Sequence, residues 1–321
     1  MTWGARSVIG IDAGVGQYRA AQRVRTRTGQ AWRTAILPRR HGGDEAWNPE
    51  EVDALGAALW RLGFVGRDVA LALPDSRTLE ATVELPPISS GAPIGTLASS
   101  ELSRVCGRDI PEWTVTVATL CEPARARGGA TRAYIAGYEP GQLDSVVRAF
   151  DRETWLGGAF ATRRIEVGAL ATARALVAGW PEEGVVFGFK IGRSALQCVV
   201  CAEGRPLLIR TLAEHGLDRY SESTGSASIA ERCVEELDRT VAYIQQHAPG
   251  AESVALVVIG GGGVGAAVRD SLRTGRGEFA GFYRVQDRPG CDAVPERLDV
   301  LCAAGLAIGA ERGGQGEEAG S

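Results

Sequence analysis

The chain has 321 residues, 45% of them apolar and 23% charged, with a formal net charge of −4. That length can bury a core large enough for two lobes, and the near-neutral charge leaves no electrostatic footprint for nucleic acid. No apolar run approaches the ~20 residues a bilayer span needs, and the amino terminus lacks the long apolar stretch and cleavage site of a secretory leader.

Ser7 to Ile11 reads as a strand, followed by strands at Arg19 to Arg25 and Trp32 to Leu37, with Thr28-Gly29-Gln30 as the turn. The arginines here (Arg19, Arg23, Arg25, Arg27, Arg33, Arg39, Arg40) have no aromatic stacking platform beside them, which suits a solvated edge hairpin. Pro49 to Leu62 is predicted as a helix with Leu55, Leu59 and Leu62 at helical spacing, and Asp68 to Pro74 as a buried strand. From Leu79 the texture changes. Thr82 to Leu85 alternates, Pro86 to Pro93 breaks the chain, and Ile94 to Val105 can be a helix. Thr114 to Cys121 and Ala133 to Gly137 read as strands around an Arg- and Gly-rich turn, and Pro140 to Phe150 as a helix. This stretch has the size of a small inserted subdomain.

Ile165 to Val177, rich in alanine and leucine, is predicted as a helix leading out of the first lobe. The second lobe opens at Val185 with a second strand-turn-strand hairpin over Val186 to Gln197, and Arg205 to Leu212 continues as a strand. Ser228 to Gln246 is the strongest helix, with Val234, Leu237, Val241 and Ile244 on one stripe. Val254 to Ile259 is a buried strand ending in four glycines, Phe282 to Val285 a strand, and Val300 to Ala310 a small-residue helix. The Gly- and Glu-rich tail over 312–321 is expected to be disordered. The domain boundaries expected are 1–78 with 160–180 for the first lobe, 79–159 for the insertion and 181–311 for the second lobe.

Seven cysteines form an odd set without a disulfide framework, which fits a reducing, cytoplasmic setting. Cys198 and Cys201 have CxxC spacing, but positions three apart on a strand face opposite sides, so both read as buried small hydrophobes. The histidines His41, His215 and His247 lie in unrelated settings and suggest no reaction.

The candidate chemistry sits in the glycine turns. Gly10-Ile11-Asp12-Ala13-Gly14-Val15-Gly16 is a strand running into a turn, and a weaker copy follows at Gly188-Phe189-Lys190-Ile191-Gly192-Arg193. Turn glycines let backbone N–H groups form an anion-binding concavity, and Asp12 at the strand end could hold a hydrated Mg²⁺. A plain tight turn is the competing reading. Gly260, Gly262 and Gly265 also match G-x-G-x-x-G after a strand, with Asp287 further on, as a dinucleotide fold would place them. Too few elements remain after Gly265 to complete that fold.

The order of these features resembles the actin-like ATPase superfamily, and within it the family of the type IV pilus assembly protein PilM and its relative FtsA. The likeness rests on Gly10 to Gly14 with Arg19, on Ala70 to Pro74, on Ile165 to Ala171 and on Glu235 to Tyr243. It extends to Ile259 to Gly262 and Gly305 to Gly309, with Leu85-Pro86-Pro87 and Ile110-Pro111 as smaller agreements. The resemblance implies an α/β, two-lobed actin-like (ribonuclease H-like) fold with an α+β subdomain inserted in the first lobe. It implies ATP with Mg²⁺ between the lobes: Gly14, Gly16 and Arg19 at the first phosphate loop, Gly192 and Arg193 at the second, Gly260, Gly261 and Gly262 at adenosine, and Glu235 and Arg239 facing adenine and ribose.

The departures are chemical. Arg19 stands where a lysine is usual, and Lys190 where an aspartate is usual, so a cation replaces a metal-supporting anion. The resemblance with these departures predicts a scaffold of a type IV pilus or type II secretion platform, without catalytic residues and with weak or lost nucleotide binding. It would sit in the cytoplasm against the inner membrane and bind a cytoplasmic peptide of a PilN-like membrane partner near Ala70 to Leu73 and Leu79 to Pro87. Self-association is also implied, although no surface feature of the sequence speaks for it. An active ATP-dependent phosphotransferase and a dinucleotide-dependent oxidoreductase using Gly260 to Gly265 stand as alternatives.

Overall fold

The computed structural model describes residues 7–14, 16–39, 49–73, 78–87, 90–110, 112–120, 131–151, 160–181, 184–192, 195–212, 225–247, 254–260, 262–274 and 282–316. β1 (Ile9–Ala13), β2 (Gln17–Thr26) and β3 (Gly29–Pro38) form an antiparallel meander. α1 (Pro49–Arg61) begins on a proline and carries Glu50 and Glu51 in its first turn, where a missing N–H and negative charge both suit a helix start. Leu55 and Leu59 point into the core, whereas Leu62, expected on the same stripe, lies past the helix end and is exposed.

β4 (Asp68–Leu73) then lies parallel to β1. An inserted unit follows: β5 (Thr78–Leu85), α2 (Ile94–Cys106), β6 (Thr114–Thr119), β7 (Thr131–Tyr138) and α3 (Pro140–Phe150). Its three strands make a separate antiparallel sheet in the order β5-β7-β6, with α2 on one face. β8 (Ala161–Val167) completes the first sheet, and α4 (Gly168–Gly179) starts only at Gly168. The predicted helix from Ile165 is therefore corrected: Ile165, Glu166 and Val167 pair with Leu71, Ala72 and Leu73 of β4. The alanine-rich composition hid a strand end whose partner lies far away in sequence.

The second half repeats the plan with β9 (Val185–Ile191), β10 (Leu196–Ala202), β11 (Arg205–Leu212), α5 (Gly225–His247), β12 (Val254–Gly260), α6 (Gly262–Arg273) and β13 (Tyr283–Gln286). A 3-10 turn at Leu298–Val300 leads into α7 (Leu301–Gly316), which runs beyond Ala310 and takes in 312–316 of the expected disordered tail; 317–321 lie outside the described residues. The sheet orders are β3-β2-β1-β4-β8 and β11-β10-β9-β12-β13. Each central strand has an antiparallel hairpin partner on one side and a parallel strand on the other. The two sheets are therefore topological copies.

Two helices separate them. α7 covers β1, β2 and β4, α4 covers β9, β10 and β11, and the pair cross each other. A Cβ at Gly305 would lie 1.8 Å from the Ala171 carbonyl oxygen, so this crossing requires a residue without one. β4 and β12, covered on both faces, are buried almost throughout, as parallel strands are. Alternation along β10 sends Cys198 and Val200 into the outer core of the second lobe, and Val199 and Cys201 into the core between the sheets. The two cysteines thus face opposite sides, as their spacing predicts.

Candidate functional site

The hairpins that end β1 and β9 are copies down to their hydrogen bonds. Gly14 N–H donates to the Gln17 carbonyl at 3.0 Å, and Gly192 N–H donates to the Ala195 carbonyl at 2.9 Å. Counting back two residues from each glycine aligns Asp12 with Lys190, and their cross-strand partners are Arg19 and Gln197. Two residues earlier stand Gly10 and Gly188. A Cβ at Gly10 would lie 1.9 Å from the Ala303 carbonyl oxygen of α7, and one at Gly188 would lie 2.7 Å from Leu176 Cδ1 of α4. Strand alternation therefore puts Asp12 and Lys190 on the inner faces, toward the helices between the lobes.

The first hairpin is neutralised locally. Asp12 is 4% exposed, and Arg19 Nη1 lies 3.5 Å from its Oδ2. Arg39 pins the turn: its backbone N–H donates to Gly16, its Nη1 donates to the Gly14 carbonyl at 3.2 Å, and its Nε lies 3.5 Å from Glu51. The same guanidinium sits over the Tyr18 ring at 5.3 Å. Burial pushes the Tyr18 phenol well above its usual range, against the opposing pull of Arg39. Because the Gly14 amide closes the turn, it does not face outward as an anion donor.

Asp12 was the expected Mg²⁺ ligand, and its surroundings do not fit that ion. Magnesium wants several oxygen ligands around a hydrated octahedron. Asp12 is engaged by a guanidinium, and among the described residues no group of three or more His, Cys, Asp or Glu side chains could hold a metal.

A second inner-face acid escaped the sequence reading. Asp12, Ala72 and Glu166 lie in one row across β1, β4 and β8. Glu166 is clamped by Arg164 at 3.0 Å and Arg174 at 2.6 Å, and Arg174 also donates to the Gly305 carbonyl at 2.8 Å. This ties β8 to both crossing helices, and both arginines engage the Glu166 carboxylate. Its signal was the alternation Arg164-Ile165-Glu166-Val167, masked by reading the segment as a helix. Arg39 and Glu80 were missed as well, because each meets its partners from another element.

In the second lobe, Lys190, Gln197 and Thr211 are opposed in register across β9, β10 and β11, and Glu80 of β5 reaches them. Glu235 and Arg239 are 49% and 66% exposed on α5 and 3.9 Å apart, a solvated pair one turn apart. Gly260 and Gly262 both have positive φ at the β12–α6 junction, and a Cβ at Gly265 would lie 2.1 Å from the Gly260 carbonyl oxygen. These glycines thus serve a tight strand-to-helix crossing. Asp287, the acid of the dinucleotide alternative, is taken by an ion pair with Arg273, and β12 lies inside a mixed sheet with the antiparallel β10–β11 hairpin. Arg193 and Gly261 lie outside the described residues. Ala70 to Leu73, expected near a peptide groove, are buried inside the first sheet, so surface there has to come from β5.

No family model matches the chain, and no curated protein matches it. Solved structures do. A chain of a PilM–PilN type IV pilus biogenesis complex superposes with a TM-score of 0.62 at 16% identity, covering 96% of this chain and 99% of that one. A protein of unknown function from Bacteroides thetaiotaomicron, described as having an actin-like ATPase fold, superposes with a TM-score of 0.50 at 9% identity, over 95% and 97% of the two chains. With the duplicated sheets, the helix pair between them and the inserted sheet, these likenesses establish that the chain has the two-lobed actin-like fold.

Proposed function

We propose that this protein is a PilM-like scaffold of a type IV pilus or type II secretion inner-membrane platform, holding a cytoplasmic peptide of a PilN-like membrane partner. The observation that carries this reading is the end-to-end likeness to a chain of the PilM–PilN complex, inserted sheet included. The inner faces support the non-enzymatic half of it. Asp12 and Glu166 are both engaged by arginines, and the position equivalent to Asp12 in the second lobe is a lysine. Phosphoryl transfer needs a metal-borne positive charge on the phosphates and an acid or polar group to position the nucleophile. Neither is supplied by these side chains, so the nucleotide cleft is degenerate and turnover is negligible.

Among the described residues, no helix is long and apolar enough to cross a membrane. In this reading the protein sits at the inner membrane through its partners, on the cytoplasmic side, and the surface it offers a peptide runs along β5. Affinity purification of the full chain from native membranes tests the assignment: a PilN-like protein and other platform components are expected, and their absence overturns it. Isothermal titration with ATP and Mg²⁺ tests the cleft, with micromolar binding and measurable hydrolysis as the contrary result. Lys190→Asp should strengthen Mg²⁺-nucleotide binding if the cleft is a decayed one.

A further inference from the structure

Lys190, Gln197 and Thr211 form one row on the inner face of the second sheet, with Lys190 7% and Gln197 1% exposed. Glu80 crowns this row from the inserted sheet. Its Oε2 accepts hydrogen bonds from Thr211 Oγ1 at 2.5 Å and from Gln197 Nε2 at 3.2 Å, and that same amide nitrogen lies 3.0 Å from Thr211 Oγ1. Gln197 Oε1 is buried and has no hydrogen-bond partner among the described residues. Two further contacts join the same parts of the molecule. Thr82 Oγ1 donates to the Ile209 carbonyl at 2.8 Å, and the Arg132 guanidinium of β7 lies over the Tyr243 ring of α5 at 4.7 Å.

A buried lysine in register with an amide and a hydroxyl that both donate to one oxygen is an arrangement for an anion. The ammonium supplies charge, and the neutral donors supply direction. Burying such a lysine without an anion nearby is costly. A carboxylate carried on the same chain is present at a high effective concentration, so it outcompetes a dilute free anion of similar intrinsic affinity. We propose that Glu80 is a built-in occupant of an anion site on the second hairpin, standing where a linear oligophosphate would otherwise bind, and that this contact straps the inserted subdomain across the cleft. The ligand class is a metal-free oligophosphate, because Lys190 provides at that position the positive charge that a metal held by an aspartate would provide. The proposal rests on the degenerate-cleft reading and is independent of the pilus partner.

The test uses the full-length chain and sodium tripolyphosphate in magnesium-free, low-salt buffer, followed by isothermal titration. Glu80→Ala is expected to bind at least about tenfold more tightly than the unaltered protein, and adding Lys190→Met should remove the gain. Equal affinity in Glu80→Ala and the unaltered chain overturns the proposal, as does a gain that survives Lys190→Met. Glu80→Gln, which keeps the side chain's shape and drops its charge, serves if the alanine variant folds poorly, with the same expected gain. Hydrogen exchange gives a second readout. Amides of β5 and β11 should exchange at least about tenfold faster in either Glu80 variant while those of β1 and β4 stay unchanged; unaltered β5 and β11 protection overturns the strap. The scaffold reading fails separately, through the absence of a PilN-like partner on the unaltered protein.

Discussion

The two hairpins share a backbone and differ in how each disposes of its charge. In the first, Asp12 meets Arg19 directly across the strand pair, and Arg39 pins the turn from the end of β3. In the second, Lys190 is opposed by neutral Gln197, and the nearby carboxylate arrives from the inserted sheet. Duplication preserved register and the turn hydrogen bond, while the side chains diverged to opposite sign. The first lobe completes its hairpin with its own residues. The second depends on a part that the first lobe carries.

The largest expected difference comes from the two inner-face glycines. Gly10→Ala drives a Cβ against a backbone oxygen of α7, which cannot yield without moving the helix, and a loss of about 4 kcal/mol or more is expected. Gly188→Ala presses on the end of the Leu176 side chain, with Ile259 at ordinary contact distance, and about 1–3 kcal/mol is expected. Chemical denaturation of both variants checks the order, and equal losses would break the comparison. Next is the pin of the first turn. Glu51→Ala leaves Arg39 buried beside Tyr18 without its carboxylate, and about 3 kcal/mol should be lost. Hydrogen exchange should then quicken around Gly14 and not around Gly192.

The largest thiol-linked pH effect is expected in the second lobe, because the strands of the first sheet contain no cysteine. Their buried phenol, Tyr18, adds its own loss only above its ordinary value of 10.0. Burial pushes the thiols of Cys201 and Cys233 up to about 12 from an ordinary value of 9.0, and raises that of Cys198 as well. Between those values the unfolded chain releases protons that the folded chain retains, so raising pH favours unfolding. Stability is expected to be unaffected by these thiols below pH 9 and to fall above it, and substituting all three by alanine or valine should flatten that decline. The smallest effect is at the surface: Arg239→Ala should change stability by less than about 0.5 kcal/mol, given its exposure. A larger loss would show that its 3.7 Å approach to buried Glu236 contributes, and an altered nucleotide titration that α5 takes part in the cleft.

The repeated topology was legible in the sequence because each strand carries its own local pattern. The turns at Gly14 and Gly192, the stripe on α5 and the opposed faces of Cys198 and Cys201 all follow from periods of two or 3.6 residues. The nearness of Arg19 to the Asp12 end of the hairpin was legible for the same reason, but their ion pair was not, because both were read as ligands of a nucleotide and its metal. What failed was non-local. Ile165 to Val167 form a strand only because β4 is there to pair with them, and alanine-rich flanks outweighed that in a local reading. Arg39 on Glu51 and Glu80 on Gln197 join elements whose meeting no periodicity announces. The glycines of Gly260 to Gly265 were visible, yet the same residues suit a dinucleotide and a plain tight crossing, and the surrounding sheet separates the two.

The packing of α7 against β1 joins a strand made early to a helix made late, since Gly10 rests on Ala303. During vectorial synthesis the nascent first lobe must therefore wait, with one side of its sheet wet, until the second lobe has been translated. Such a chain folds slowly for its size and exposes aggregation-prone surface meanwhile. Its two halves should melt as one cooperative unit, and neither is expected to survive as an autonomous fragment.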